Sequence, residues 1–164
     1  MLLYHGSNVI VEEPRLISQA RGLDFGQGFY LTTREEQAKD FAEGVTYRRK
    51  QGVPTISVFE FDIDAVKQTL DFLVFPEPNA EWLEFISDNR LKTYTGKKYD
   101  VIAGPVADDR VFLTLQALLI GQFTIEAALI ALKPYKLYDQ YCLTTDKALS
   151  MLRFVISVVQ EDVR

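Results

Sequence analysis

The sequence predicts a mixed α+β fold on three observations. β-rich segments stand at both ends of the chain, amphipathic helical segments lie between them, and their order lacks the regular strand–helix–strand alternation of a parallel sheet. At 164 residues, 48% of them hydrophobic and 25% charged, the chain suits one domain over residues 1–164. Its core needs neither disulfides nor a structural metal.

Taken in order, residues 2–6 read as a short buried strand. Residues 14–28 are loop-like and end in Asp24-Phe25-Gly26-Gln27-Gly28, where two glycines permit backbone conformations closed to other residues. Residues 29–32 form a second short strand. Thr33 and Glu36 have the spacing of a capping box, so a helix is expected there, with Ala38, Phe41, Ala42 and Val45 as its apolar stripe and an end near Gly52-Val53-Pro54. The basic run Arg48-Arg49-Lys50 suits that helix's C-terminal end. Apolar and polar side chains alternate over residues 55–61, giving a strand.

Residues 79–89, around Trp82, Leu83, Phe85 and Ile86, suit an amphipathic helix, and residues 99–106 a strand. Asp108 or Asp109 is placed to cap an apolar helix over 110–120 that Gly121 stops. A further helix spans 124–133 and is halted by Pro134. Residues 137–144 read as a strand, 145–151 as a helical turn and 153–159 as a last β-rich strand.

Composition excludes several function classes. A net charge of -5 gives no general attraction for nucleic acid or anionic membranes. Apolar stretches around residues 111–120 and 125–132 are too short to span a bilayer, and the opening Met-Leu-Leu-Tyr-His lacks a signal-peptide pattern, so a cytoplasmic location is expected. The single cysteine, Cys142, reads as buried filler. No metal-ligand spacing, Walker-type loop or G-x-S-x-G elbow is present, so no metal is expected.

Residues that could carry chemistry cluster in the first quarter of the chain. His5, the one histidine, is followed by Gly6-Ser7, and a glycine there lets a flat ligand approach the backbone and exchange hydrogen bonds with it. Gly26-Gln27-Gly28 contains G-x-G but lacks the third glycine and downstream acid of a dinucleotide fold. The loop instead delivers Tyr30 toward a helix that offers Phe41, and two rings can sandwich a planar heterocycle. Taken alone, His5 also fits a strand cap, and Tyr30 and Phe41 also fit ordinary core aromatics.

Together, Tyr4-His5-Gly6-Ser7, Gly26-Gln27-Gly28-Phe29-Tyr30 and Phe41 eleven residues later resemble the ADP-ribosyltransferase superfamily, in its diphtheria-toxin-like and poly(ADP-ribose)-polymerase-like branch. The block from Asp24 to Tyr30, Gln37-Ala38 after it, and Tyr99-Asp100-Val101-Ile102-x-Gly104-Pro105-Val106-Ala107-Asp108-Asp109 extend the resemblance to a bacterial family of unknown function within that superfamily. The resemblance implies two small, mostly antiparallel sheets with flanking helices around a cleft that takes NAD as substrate. It implies that His5 binds the ribose next to the nicotinamide, that the Gly6 backbone grips the carboxamide, and that Tyr30 and Phe41 stack on the ring. Ser7 and Gly28 border that site, and Arg21 is either placed to meet the pyrophosphate as a planar donor or is a solvent-facing loop arginine.

The sequence departs from the family at its late-strand glutamate. The matching segment is Asp139-Gln140-Tyr141-Cys142-Leu143-Thr144, which sets Gln140 where the glutamate would stand. An amide can bond a ribose hydroxyl but cannot act as a base or place negative charge beside an oxocarbenium-like transition state. Restoring glutamate at 140 is therefore expected to raise NAD cleavage. Asp108 and Asp109 are alternative sources of a carboxylate, with ordinary helix capping as their other reading. The resemblance then implies a mono-ADP-ribosyltransferase with an unidentified acceptor, a non-catalytic NAD or ADP-ribose binding module, or a toxin-like protein held by a small antitoxin partner.

Overall fold

The computed structural model describes residues 1–107, 109–133 and 137–160, without the side chains of 109, 110 and 112. Its elements are β1 (Leu2–Ser7), β2 (Phe29–Leu31), α1 (Glu35–Arg49), β3 (Thr55–Phe61), α2 (Ile63–Thr69), β4 (Phe72–Val74) and α3 (Ala80–Leu91). They continue with β5 (Val101–Pro105), α4 (Asp109–Leu119), α5 (Ile125–Leu132), β6 (Asp139–Leu143), α6 (Asp146–Leu149) and β7 (Leu152–Val159). The α+β class expected from the sequence holds.

The strands form two small sheets. One is antiparallel in the order β1-β3-β7, and the other runs β2-β6-β5-β4, with β4 and β5 parallel and the rest antiparallel. Among the described residues a two-way bridge joins them, in which Tyr4 and Thr32 exchange backbone hydrogen bonds of 2.8 and 3.0 Å.

Two main clusters fill the interior. Trp82, Leu83 and Ile86 of α3, Val111 and Leu115 of α4, and Ala128 and Leu132 of α5 pack with Phe25, Ile102 and Cys142. Leu3, Phe59, Phe61, Val66, Val101 and Leu143 form the second cluster, between the sheets and α2. Helix α1 lies on the β1–β3 sheet through Ala38, Ala42 and Val45. Small side chains there bring the backbones close: a Cβ on Gly6 would sit 2.0 Å from the Ala38 carbonyl oxygen.

Four local expectations change. Thr33 and Glu36 do not form a capping box, because α1 starts at Glu35 with Arg34, not Thr33, at the cap position and no side-chain cap; the Thr33 hydroxyl donates to Asp139 Oδ2 at 2.6 Å. The helix ends at Arg49, with Lys50 in the left-handed conformation, three residues before Val53. Phe41 lies outside the buried stripe and is 50% exposed. Helix α2 and strand β4 were not expected; α2 is capped by Asp62, whose side chain accepts from the Ala65 amide at 3.1 Å. As expected, Arg48 and Arg49 occupy the last turn of α1. The cap proposed at Asp108 lies outside the described residues.

Gly6→Ala should destabilise the fold by about 1–3 kcal/mol, because α1 must shift off β1 to admit the methyl group. A denaturant midpoint equal to that of the wild type would show that this contact yields freely.

Candidate functional site

The bridge between the sheets positions His5. Its Nδ1 lies 2.8 Å from the Tyr30 carbonyl oxygen, and a carbonyl only accepts, so Nδ1 carries the proton. In the neutral ring Nε2 is then an acceptor. The imidazole also stacks on Phe29, with centroids 4.2 Å apart and an interplanar angle of 29°. Burial pulls the His5 pKa below its ordinary value, and the bond to Tyr30 opposes this in part, so the ring is neutral near pH 7.

Gly6 follows on the same strand. Tyr4 directs its N–H and C=O away from β3, toward Thr32, and alternation along the strand directs those of Gly6 to the same edge. Beyond the Tyr4–Thr32 bridge no described residue pairs with that edge. Gly6 thus presents one backbone donor and one acceptor beside His5. Ser7 is buried at the end of the strand.

Tyr30 turns inward. Its hydroxyl donates to the Gly26 carbonyl at 2.7 Å and accepts from the Phe25 amide at 3.1 Å, tying the glycine loop to β2. Burial raises the phenol pKa well above its ordinary value. Gly26 has φ 80°, which favours glycine, and at Gly28 a Cβ would fall 2.4 Å from Cys142 Sγ. The Cys142 thiol is buried and pushed up to about 12 by desolvation, which removes it as a nucleophile. The rings of Tyr30 and Phe41 occupy different surroundings: Tyr30 packs against the α3 cluster, whereas Phe41 is half exposed on α1. Arg21 is exposed in the loop.

Gln140 is buried, and its surroundings reveal a residue the sequence reading missed. Asp24, 7% exposed, accepts from Arg90 Nε at 2.6 Å, the Ala107 amide at 3.2 Å and Gln140 Nε2 at 3.3 Å. Gln140 Nε2 also reaches the Pro105 carbonyl at 3.5 Å, which accepts in addition from the Trp82 indole at 3.0 Å. The Gln140 amide is therefore a donor to a buried carboxylate. Glutamate there would oppose two anions about one hydrogen bond apart, so the simple expectation of faster cleavage in Gln140→Glu acquires a folding penalty.

The neighbouring Asp139 is not a free carboxylate either. It accepts from the Thr32 hydroxyl at 3.0 Å, the Thr33 amide at 3.1 Å and the Thr33 hydroxyl. Asp108 and the side chain of Asp109 lie outside the described residues. Among the described residues no group of three His, Cys, Asp or Glu side chains could hold a metal ion.

The expected residues thus join in one chain of contacts: His5 to the Tyr30 carbonyl, Tyr30 to the Asp24–Gly28 loop, and Asp24 to Gln140. Phe41 and Arg21 stand outside it. Beside the loop lies an open cleft of about 310 Å³ lined by Leu16, Ile17, Ser18, Gln27, Gly28 and Thr144. A second hollow of about 190 Å³ is bordered by Phe75, Gly104, Tyr138, Asp139 and Tyr141.

Two outcomes follow. Gln140→Glu alone should lower stability by a few kcal/mol, and adding Asp24→Asn should recover part of that loss, a non-additivity that chemical denaturation measures directly. Because the folded pKa of His5 lies below its unfolded value of 6.5, the folded state binds fewer protons. The His5 contribution is present above about pH 6.5 and is lost as pH falls through the folded pKa. Melting curves from pH 8 to pH 5 should therefore converge with those of His5→Gln, and parallel curves would remove His5 from the acid-sensitive groups.

Comparison with known proteins gives one match. The family described as "Protein of unknown function (DUF3990)" matches residues 1–154. No curated protein and no solved structure matches the chain. The matched stretch carries His5, Gly6, the glycine loop, Asp24, Arg90 and Gln140 together, and the chain belongs to the DUF3990 family.

Proposed function

We propose that this protein binds NAD in an ADP-ribosyltransferase-like fold and transfers single ADP-ribose units to an acceptor whose identity the site does not specify. The observation that carries this reading is the edge of β1 at His5–Gly6, where a neutral imidazole acceptor adjoins an unpaired backbone N–H and C=O. A carboxamide is the complement of that backbone pair, and a ribose hydroxyl can donate to Nε2.

Each residue then has a defined task. Gly6 would exchange two hydrogen bonds with the nicotinamide carboxamide, and His5, held by Tyr30, would orient the adjoining ribose. Tyr30 acts mainly by fixing the glycine loop. Phe41, half exposed on α1, would supply an aromatic face. With Gln140 neutral and bonded to Asp24, no carboxylate is presented at that position, so cleavage of the nicotinamide–ribose bond would rest on orientation and water exclusion.

The same Gln140 geometry favours a second reading, a module that binds NAD or ADP-ribose without turning it over. A small antitoxin-like protein as partner belongs with the catalytic reading, since an active transferase needs restraint.

Calorimetric titration with NAD separates these readings when paired with labelled NAD in cell lysate, which follows nicotinamide release and label transfer. Wild type should bind, and His5→Ala should bind more weakly by about 1–3 kcal/mol while remaining folded. Release and transfer mark the transferase, whereas binding without release marks the module. Absence of NAD and ADP-ribose binding by folded wild type would overturn both.

A further inference from the structure

Strand β7 ends the three-stranded sheet and runs for eight residues, and among the described residues nothing pairs with its outer side. An edge strand of that length leaves about half of its N–H and C=O groups pointing outward, a template for another strand. The other edges are managed. β1 is closed in part by the Tyr4–Thr32 bridge, and β2 and β4 are three residues each. β7 has no proline and no lysine, its one charge, Arg153, is spent at its start on Glu60 across the strand pair, and its one protective feature is a bulge at Val155. The bulge leaves Val155 unpaired between the Val58–Ile156 and Phe59–Phe154 pairs, so Ile156–Val159 is a regular ladder beyond it.

The side chains along this edge are apolar and exposed. Val155, Ile156, Val158 and Val159 are 47, 53, 38 and 44% exposed. Val53, just before β3 and 52% exposed, lies at the end of the sheet where Gln160 bonds Pro54.

We propose that β7 pairs antiparallel with β7 of a second copy of this chain, making one six-stranded sheet across a two-fold axis. The sequence of the strand selects the occupant. With the axis at Ser157, Ile156 faces Val158 of the other copy and Ser157 faces Ser157, all within the regular part of the strand beyond the Val155 bulge, so these cross-strand pairs join like with like. The chain carries a net charge of -5, which opposes self-association through most of its surface, but residues 154–159 carry no charge. Pairing here therefore meets no charge repulsion and buries apolar side chains from both copies.

The test is sedimentation velocity of the full chain from low to high micromolar concentration, with wild type and the double variant Ile156→Lys/Val158→Lys. Wild type should shift toward twice the chain mass as concentration rises. The variant sets lysines opposite one another across the axis and should lose the dimer while keeping the wild-type circular dichroism and the melting temperature of the dilute, monomeric wild type. Hydrogen exchange supplies a readout that needs no variant: amides of residues 153–159 should exchange more slowly at high than at low concentration. A wild type that remains monomeric throughout overturns the proposal, as does a dimer that persists in the folded variant or shows no protection in β7. A monomer that gains protection in β7 only with a foreign strand peptide overturns it in favour of a different partner.

Discussion

The buried carboxylate of Asp24 is the constraint on which the arrangement of this protein depends. A loop, helix α3, Ala107 two residues after β5, and β6 with Gln140 near its start share one hydrophobic cluster, but apolar packing alone does not fix their register. Their register is set because one anion, withdrawn from water, takes the Arg90 guanidinium, the Ala107 amide and the Gln140 amide around it. Phe25, next in sequence and 2% exposed, drives the loop into the core beside Phe75 and Phe85. Burial supplies the driving force and the ion pair supplies the register. Loss of Arg90 would strand a charge in the interior, which costs far more than a surface pair contributes.

That arrangement bears directly on chemistry. A carboxylate at position 140 would suit a developing positive charge, but here the position donates to an existing carboxylate. The protein has its negative charge one shell deeper, neutralised by Arg90, where it fixes a loop instead of facing a substrate. Tyr30 shows the same economy, its hydroxyl satisfying Gly26 and Phe25 of that loop. Two residues expected to act on a ligand thus hold the Asp24–Gly28 loop, and the proposed recognition of NAD then rests more on the β1 edge.

Much of the fold was legible because it is written in local pattern. Alternation marked β3, helical spacing marked α3, and Gly121 lies just past the end of α4. Short elements escaped: α2 buries only Val66 and so shows no stripe, and β4 is three residues long. The capping box at Thr33 was misleading for a long-range reason. Asp139, 106 residues away, accepts both the amide and the hydroxyl of Thr33, holding that residue ahead of the helix, which then starts behind Arg34. Asp24 escaped likewise, since its partners lie 66 and 116 residues along the chain and no periodicity links them. Its position inside the block that ends at Tyr30 was the one available signal.

Gly6 shows why site and scaffold cannot be varied independently here. Toward α1 it must lack a side chain, because the Ala38 carbonyl occupies the space a Cβ would fill. Toward the open edge of β1 it offers backbone groups that a side chain on a neighbouring strand would otherwise cover. The close seat of α1, made possible by Ala38 and Ala42, presses β1 from one face, while Phe29 stacks on the ring of His5. His5 can then keep its Nδ1 bond to Tyr30 without a carboxylate to orient it, because packing and a backbone carbonyl already fix the ring. A neutral imidazole beside an unpaired peptide edge follows from how tightly one helix sits on one strand.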